Sequence, residues 1–284
     1  MNWELFSARR AAWCTALVAS LCLAACSTTT STSSGPSGTQ DSSRDNGPGK
    51  DITTASDETD AHKRAHVRME LAEAYFGQGQ LTTALDEVKQ AISADPSLAS
   101  AFNLRGLIYA GLGDDRLAED SFRHAQQLDP RDPDTMHHFG WYLCQHQRYV
   151  EADELFRKAL ARPQYRDSTR TLLAQGVCQA RASQWAEAET TLQRAYERDP
   201  SNPATAVNLA EVLYHRGDLE RARFYIRRVN NGPDLSNAQT LWLAARIEHK
   251  LGNRQGTQDF GTQLRNRFPQ SREWTAFDRG DFDD

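Results

Sequence analysis

Basic charge is in short supply in this 284-residue chain. Thirty-three lysines and arginines stand against 38 aspartates and glutamates, a formal net charge of −5. Phosphate backbones are held by a basic footprint, so this balance argues against nucleic acid as a partner. Long apolar runs are missing as well. The longest, 11–25, has about fifteen mostly apolar residues, against the ~20 that a membrane-spanning helix needs. The sequence holds no glycine-rich phosphate loop, no nucleophile elbow and no His-Glu helix motif. That excludes the common enzyme classes, and no cofactor is implied. His137, His138 and His146 lie near Cys144 and raise the question of a metal, but Trp141 takes the middle place on the helical face shared by 137, 141 and 144. Converging tetrahedral ligands are therefore not expected, and these histidines read as surface or groove residues. Hydrophobic residues make up 39% of the chain, modest for a globule but suited to a thin, elongated structure.

What is present begins at the amino terminus. Arg9 and Arg10, the apolar run and the small residues before Cys26 have the three-part order of a secretory signal. Leu23-Ala24-Ala25-Cys26 resembles a bacterial lipobox, which implies cleavage after residue 25 and lipidation of Cys26. The alternative is an ordinary signal peptide with an incidental cysteine. Ser27, where an aspartate would hold a lipoprotein at the inner membrane, is similar to the sorting pattern of Gram-negative outer-membrane lipoproteins. The expected place is thus the periplasmic face of the outer membrane, with several acyl chains giving a stable anchor. Without residues 1–25, which carry Arg9, Arg10 and Glu4, the balance becomes 31 basic against 37 acidic side chains, net −6. Residues 26–60 follow as a lipidated linker of Ser, Thr, Gly and Asp with almost no aliphatic residue except Ile52. Such a composition cannot bury enough apolar surface to offset its ordering entropy. Thirty-four flexible residues reach roughly 30–35 Å as a root-mean-square distance.

A 34-residue period then takes over. Pro96 and Pro130 keep that step, as do Ala84, Ala118 and Ala152, Ala91, Ala125 and Ala159, Gly106 and Gly140, Tyr75 and Tyr109, and Phe122 and Phe156. Later copies carry Gly176, Ala188, Leu192 and Pro200, then Ala210, Ala222 and Ile226. The last is worn, with Thr257 and Gly261 where alanine and a large apolar residue are expected. This pattern resembles the tetratricopeptide repeat, small at positions 8, 20 and 27 and closed by proline at 32. It implies an all-α superhelix of about six helix pairs, spanning 65–98, 99–132, 133–168, 169–202, 203–237 and 238–271. Small residues let paired helices approach to about 8–10 Å, and proline ends the second helix of each pair. The remaining 272–284, an acidic tail with five acids and three aromatics, is expected to fray.

Stacked pairs present an extended concave face made mainly by their first helices. Positions 2, 5, 9, 12 and 13 should line it, which selects Met69, Phe76, Asn103, Leu107, His137, Trp141, Leu173, Val177, Glu211, Tyr214, Trp242 and Arg246. Aromatics and arginine are common interface anchors; the alternative is that Trp141 and Trp242 only pack on neighbouring helices. Cys14 and Cys22 leave with the signal and Cys26 takes lipid, so Cys144 and Cys178 remain, on successive first helices. In an oxidising periplasm they read as one structural disulfide, or else as two buried thiols, a choice that thiol titration decides.

Local sequence points further. Met136-His137-His138-Phe139-Gly140-Trp141-Tyr142-Leu143-Cys144, the break Leu160-Ala161-Arg162-Pro163-Gln164-Tyr165, Gly176-Val177-Cys178 and the ending Leu264-Arg265-Asn266-Arg267-Phe268-Pro269 resemble the type IV pilus biogenesis lipoproteins of the PilF/PilW family. His138-Phe139 stands where asparagine-tyrosine is common in that family. The resemblance implies a pilotin: a non-catalytic adaptor that brings the type IV pilus secretin to the outer membrane and promotes its multimerisation there. A different outer-membrane repeat lipoprotein, scaffolding β-barrel assembly or peptidoglycan enzymes, is the alternative.

Overall fold

The computed structural model describes residues 60–232 and 234–282. The segments read as signal peptide (1–25), lipidated Cys26 and, apart from Asp60, the linker (26–60) lie outside the described residues. Among the described residues are thirteen helices and no strand. They run as α1 (Asp60–Gly77), α2 (Leu81–Ala94), α3 (Ala99–Leu112), α4 (Asp115–Leu128), α5 (Pro133–Gln145), α6 (Tyr149–Leu160) and α7 (Ser168–Arg181). Then come α8 (Trp185–Arg198), α9 (Pro203–His215), α10 (Leu219–Asn230), α11 (Ala238–Lys250), α12 (Arg254–Arg267) and α13 (Arg272–Arg279). The first twelve form antiparallel pairs stacked in chain order, and each odd-numbered first helix also touches the first helix of the next pair. This is a tetratricopeptide-repeat superhelix.

The close approach within a pair has a visible cause. A β-carbon on Gly106 would lie 2.8 Å from the Phe122 ring, one on Gly140 3.0 Å from Phe156, and one on Gly176 2.5 Å from Leu192. Each glycine thus opens the slot that the large side chain sixteen residues later fills, and Phe122, Phe156 and Leu192 are fully buried. Ala84, Ala118, Ala152, Ala188 and Ala222, the small residues of the second helices, are also fully buried. Several helix starts are set by side-chain caps: Asp132 and Asn202 each accept backbone amides ahead of a proline in the first turn, and Asn237 with Thr240 forms a reciprocal capping box. The tight turn inside each pair needs one residue with positive φ. Gly79, Gly113, Gly217 and Gly252 supply it in four repeats, whereas Gln147 (φ 61°) and Ser183 (φ 58°) adopt it in the third and fourth.

Two expectations are corrected. Helix α1 begins at Asp60, ahead of residue 65, and His62 of the added turn pairs with Asp95 at the end of α2, tying it to the rest of the first repeat. The tail expected to fray forms α13 instead, capped by Ser271 at its start and closed by left-handed Gly280. The worn position at Gly261 explains its docking. A β-carbon there would meet the Phe277 ring at 2.0 Å, so the missing side chain is the seat for an aromatic from α13.

Candidate protein-binding groove

The concave face is not open along its length. Of the positions expected to line it, Met69, Asn103, His137, Leu173, Val177 and Tyr214 are buried, while Phe76, Leu107, Trp141, Glu211, Trp242 and Arg246 are half-buried. The correction has a geometric reason. At the fifth position of the second and third repeats the side chains reach sideways to the next first helix rather than into the groove. Asn103 Nδ2 and Oδ1 lie 3.1 and 3.2 Å from His138 Nδ1, and His137 Nδ1 lies 2.9 Å from Thr171 Oγ1, each bond crossing one repeat. Met69 joins the apolar core of the first two repeats.

The seam between repeats three and four is tied by a disulfide and a run of side-chain hydrogen bonds. Arg170 Nη2 donates to His138 Nε2 at 3.2 Å, which leaves His138 Nδ1–H to donate to Asn103. Thr171 Oγ1 of α7 also meets the Tyr165 hydroxyl at 3.0 Å, and that hydroxyl lies 3.4 Å from Asp134 Oδ1 of α5, placing the break at 161–167 against both first helices. Burial, with Arg170 and the other histidine adding to it, pushes His137 down to about 3. Burial followed by Arg170 takes His138 to about 4. Both are neutral at physiological pH. Beside them Cys144 and Cys178 are joined in a disulfide, Cα atoms 5.8 Å apart, so neither is a thiolate ligand. Among the described residues no group of three His, Cys, Asp or Glu side chains converges on a metal position. Trp141 lies half-buried against both central core clusters, with the Arg181 guanidinium 5.1 Å from its ring centre.

Repeats five and six differ. Arg246 and Lys250 of α11 both sit over the Tyr214 ring, at 4.7 and 4.3 Å. His215 is pushed below its ordinary value by burial and by the same two cations, and Glu211 is raised by burial against the pull of Arg246. After Gly280 the chain turns back over α11. Phe282 stacks on His249 with ring centres 4.1 Å apart and tilts onto Trp242 at 5.3 Å. Its carbonyl accepts from Arg246 Nε at 3.3 Å and lies 3.5 Å from the Tyr214 hydroxyl. Phe277 meets both Trp242 and Phe282 edge-on. Sequence reading selected Tyr214, Trp242 and Arg246 for this face and missed His249, Lys250, Phe277 and Phe282. Positions 12 and 13 of the sixth repeat are His249 and Lys250, so the periodic rule already contained them. The signal for α13 was the spacing of Ser271 and Gly280 as cap and stop.

Comparison with known proteins follows the same geometry. Tetratricopeptide-repeat family models match residues 99–132, 139–203 and 172–241, and a TPR-repeat model matches 72–113. The type IV pilus assembly protein PilF of Pseudomonas aeruginosa is 24% identical over 218 residues, covering 77% of this chain and 85% of PilF. The chain is a tetratricopeptide-repeat protein homologous to PilF. Among solved structures, PilW, described as a widely conserved type IV pilus biogenesis factor, aligns with a TM-score of 0.71 and 29% identity over 75% of this chain and 97% of PilW. The Pseudomonas aeruginosa pilF structure aligns with a TM-score of 0.69 and 22% identity over 78% of this chain and all of pilF, a likeness of fold. PilW and pilF share with this chain the tetratricopeptide-repeat fold.

Proposed function

We propose that the chain is a non-catalytic adaptor of type IV pilus biogenesis, anchored in the outer membrane through Cys26, that promotes localisation and multimerisation of the secretin. The observation that carries the pilus reading is the alignment with PilW at 29% identity across 97% of that chain, seconded by PilF at 24% over 85% of its length. The lipobox and the residues quoted from the family support the finer reading. Six helix pairs with neutral, hydrogen-bonded histidines and a disulfide make a scaffold rather than a reaction centre. In this mechanism the lipid fixes the chain at the membrane and the linker lets the superhelix search the space beneath it. Tethering raises the client's local concentration to about the millimolar range for short linkers, and the repeats supply the recognition surface.

The test is an immunoblot of unheated envelope fractions for the secretin, in cells with and without the gene. The proposal expects deletion to convert heat-resistant secretin multimers to monomers while other outer-membrane proteins stay normal. Multimers in normal amount at the outer membrane overturn it, and a general envelope defect points to β-barrel assembly or cell-wall enzymes instead.

A further inference from the structure

The carboxyl-terminal segment occupies a surface that the repeat pattern assigns to partners. Trp242, Arg246, His249 and Lys250 fall at positions 5, 9, 12 and 13 of the sixth repeat, all of them concave-face positions. Phe282 lies on the first three of them from outside the repeats, its ring held by Trp242 and His249 and its main-chain carbonyl by Arg246. A contact to a backbone carbonyl accepts any extended chain, and the aromatic cleft selects the side chain.

The cover is lightly held. No residue of α13 is buried, unlike every other helix of the stack, and Phe282 itself is only half-buried. Charge favours an acidic occupant. Arg246 and Lys250 converge here over Tyr214, with exposed His249 at the rim and Glu211 set against Arg246. The segment that lies on them carries exposed Asp278 and Asp281, in a chain whose net charge is −5.

We propose that the concave face of repeats five and six is a binding site for an extended peptide bearing an aromatic side chain flanked by acids, and that Asp281-Phe282 is the internal occupant such a partner displaces. The inference stands on this geometry and not on the pilus reading. It is tested with purified chain rather than in cells, so either reading can fail alone.

The probe is a fluorescein-labelled peptide with the sequence of residues 276–284, measured by anisotropy against the full chain, the chain ending at Arg279 and full-length Phe282→Ala. The internal tail competes at an effective concentration near the millimolar range. The peptide therefore binds both altered chains at least ~10-fold more tightly than the full chain. Peptide carrying Phe282→Ala and host carrying Arg246→Glu lose that binding. Absence of binding to both altered chains, with melting temperatures close to that of the full chain, overturns the proposal, as does equal binding to all three. Phe282→Ala keeps the test available if truncation unfolds the end of the stack. Concentration-dependent dimerisation of the full chain in sedimentation velocity, abolished by Phe282→Ala, would place the tail on a second copy and overturn the internal occupancy.

Discussion

The seam of repeats three and four and the concave end of repeats five and six use the same helix spacing, yet they are held in opposite ways. At the seam the first helices are bonded to each other: a disulfide joins α5 to α7, and His137 Nδ1 and both ring nitrogens of His138 are spent on neighbouring repeats. At the end the corresponding face keeps two cations over Tyr214 and is covered from beyond the last pair by Phe282 and Phe277, with Trp274 stacked on Phe277. One region closes the groove from within. The other leaves it to be closed by a short segment, and so keeps it exchangeable. A solenoid's energetics are nearly local because each repeat meets only its neighbours, which lets one chain combine a fixed middle with a yielding end.

The largest way to break the contrast is to remove the covalent tie. Replacing Cys144 and Cys178 together by alanine frees a 34-residue separation, for which the chain-entropy account gives about 3–4 kcal/mol. A thermal melt should fall by roughly 8–14 °C, and limited proteolysis should move to the break at 161–167.

Acidification attacks the same seam. An unfolded histidine takes up its proton below about pH 6.5, whereas His137 in the fold resists it until about 3. The unfolded state therefore binds more protons throughout that window. The stability is fully present above the unfolded value and is lost as pH falls, at up to about 1.4 kcal/mol per pH unit for this one group. Denaturant melts of His137→Gln between pH 7 and pH 4 should show a flatter dependence than the parent chain.

A third change sharpens the packing difference. Gly176→Ala places a β-carbon 2.5 Å from Leu192 Cγ and 3.4 Å from its backbone nitrogen, a cost of about 1–3 kcal/mol. Repeats five and six already carry Ala210 and Ala245 at that position, both fully buried. Calorimetry on the two sets of variants should find Gly176→Ala destabilising and Ala245→Gly destabilising too, by about 1 kcal/mol for a helix interior. The smallest effect is a gain. Ser183 sits at φ 58° where repeats five and six have Gly217 and Gly252, so Ser183→Gly relieves strain and should stabilise by about 0.5–1 kcal/mol in a melt.

Much of this was legible in the residues. The period of Pro96, Pro130 and the alanines located the helix pairs, because a steric slot repeats wherever its small residue repeats. Cys144 and Cys178 were read as neighbours for the same reason. Which concave positions stay open was not legible, since it depends on how far successive first helices are rotated against each other. Asn103, His137 and Tyr214 face partners one repeat away or beneath cations, and nothing in their spacing says so. Gly261 looked like decay of the repeat. It is the seat of Phe277, and a hole acquires meaning only when its occupant is placed.

Hydrogen exchange on the full oxidised chain is the direct test of the contrast between a fixed middle and an exchangeable end. The account predicts that amides of α5 and α7 are the slowest in the stack and that residues 277–282 exchange at least ~100-fold faster, with reduction of the disulfide narrowing the gap. Equal protection of the seam and the tail, unchanged on reduction, would contradict it.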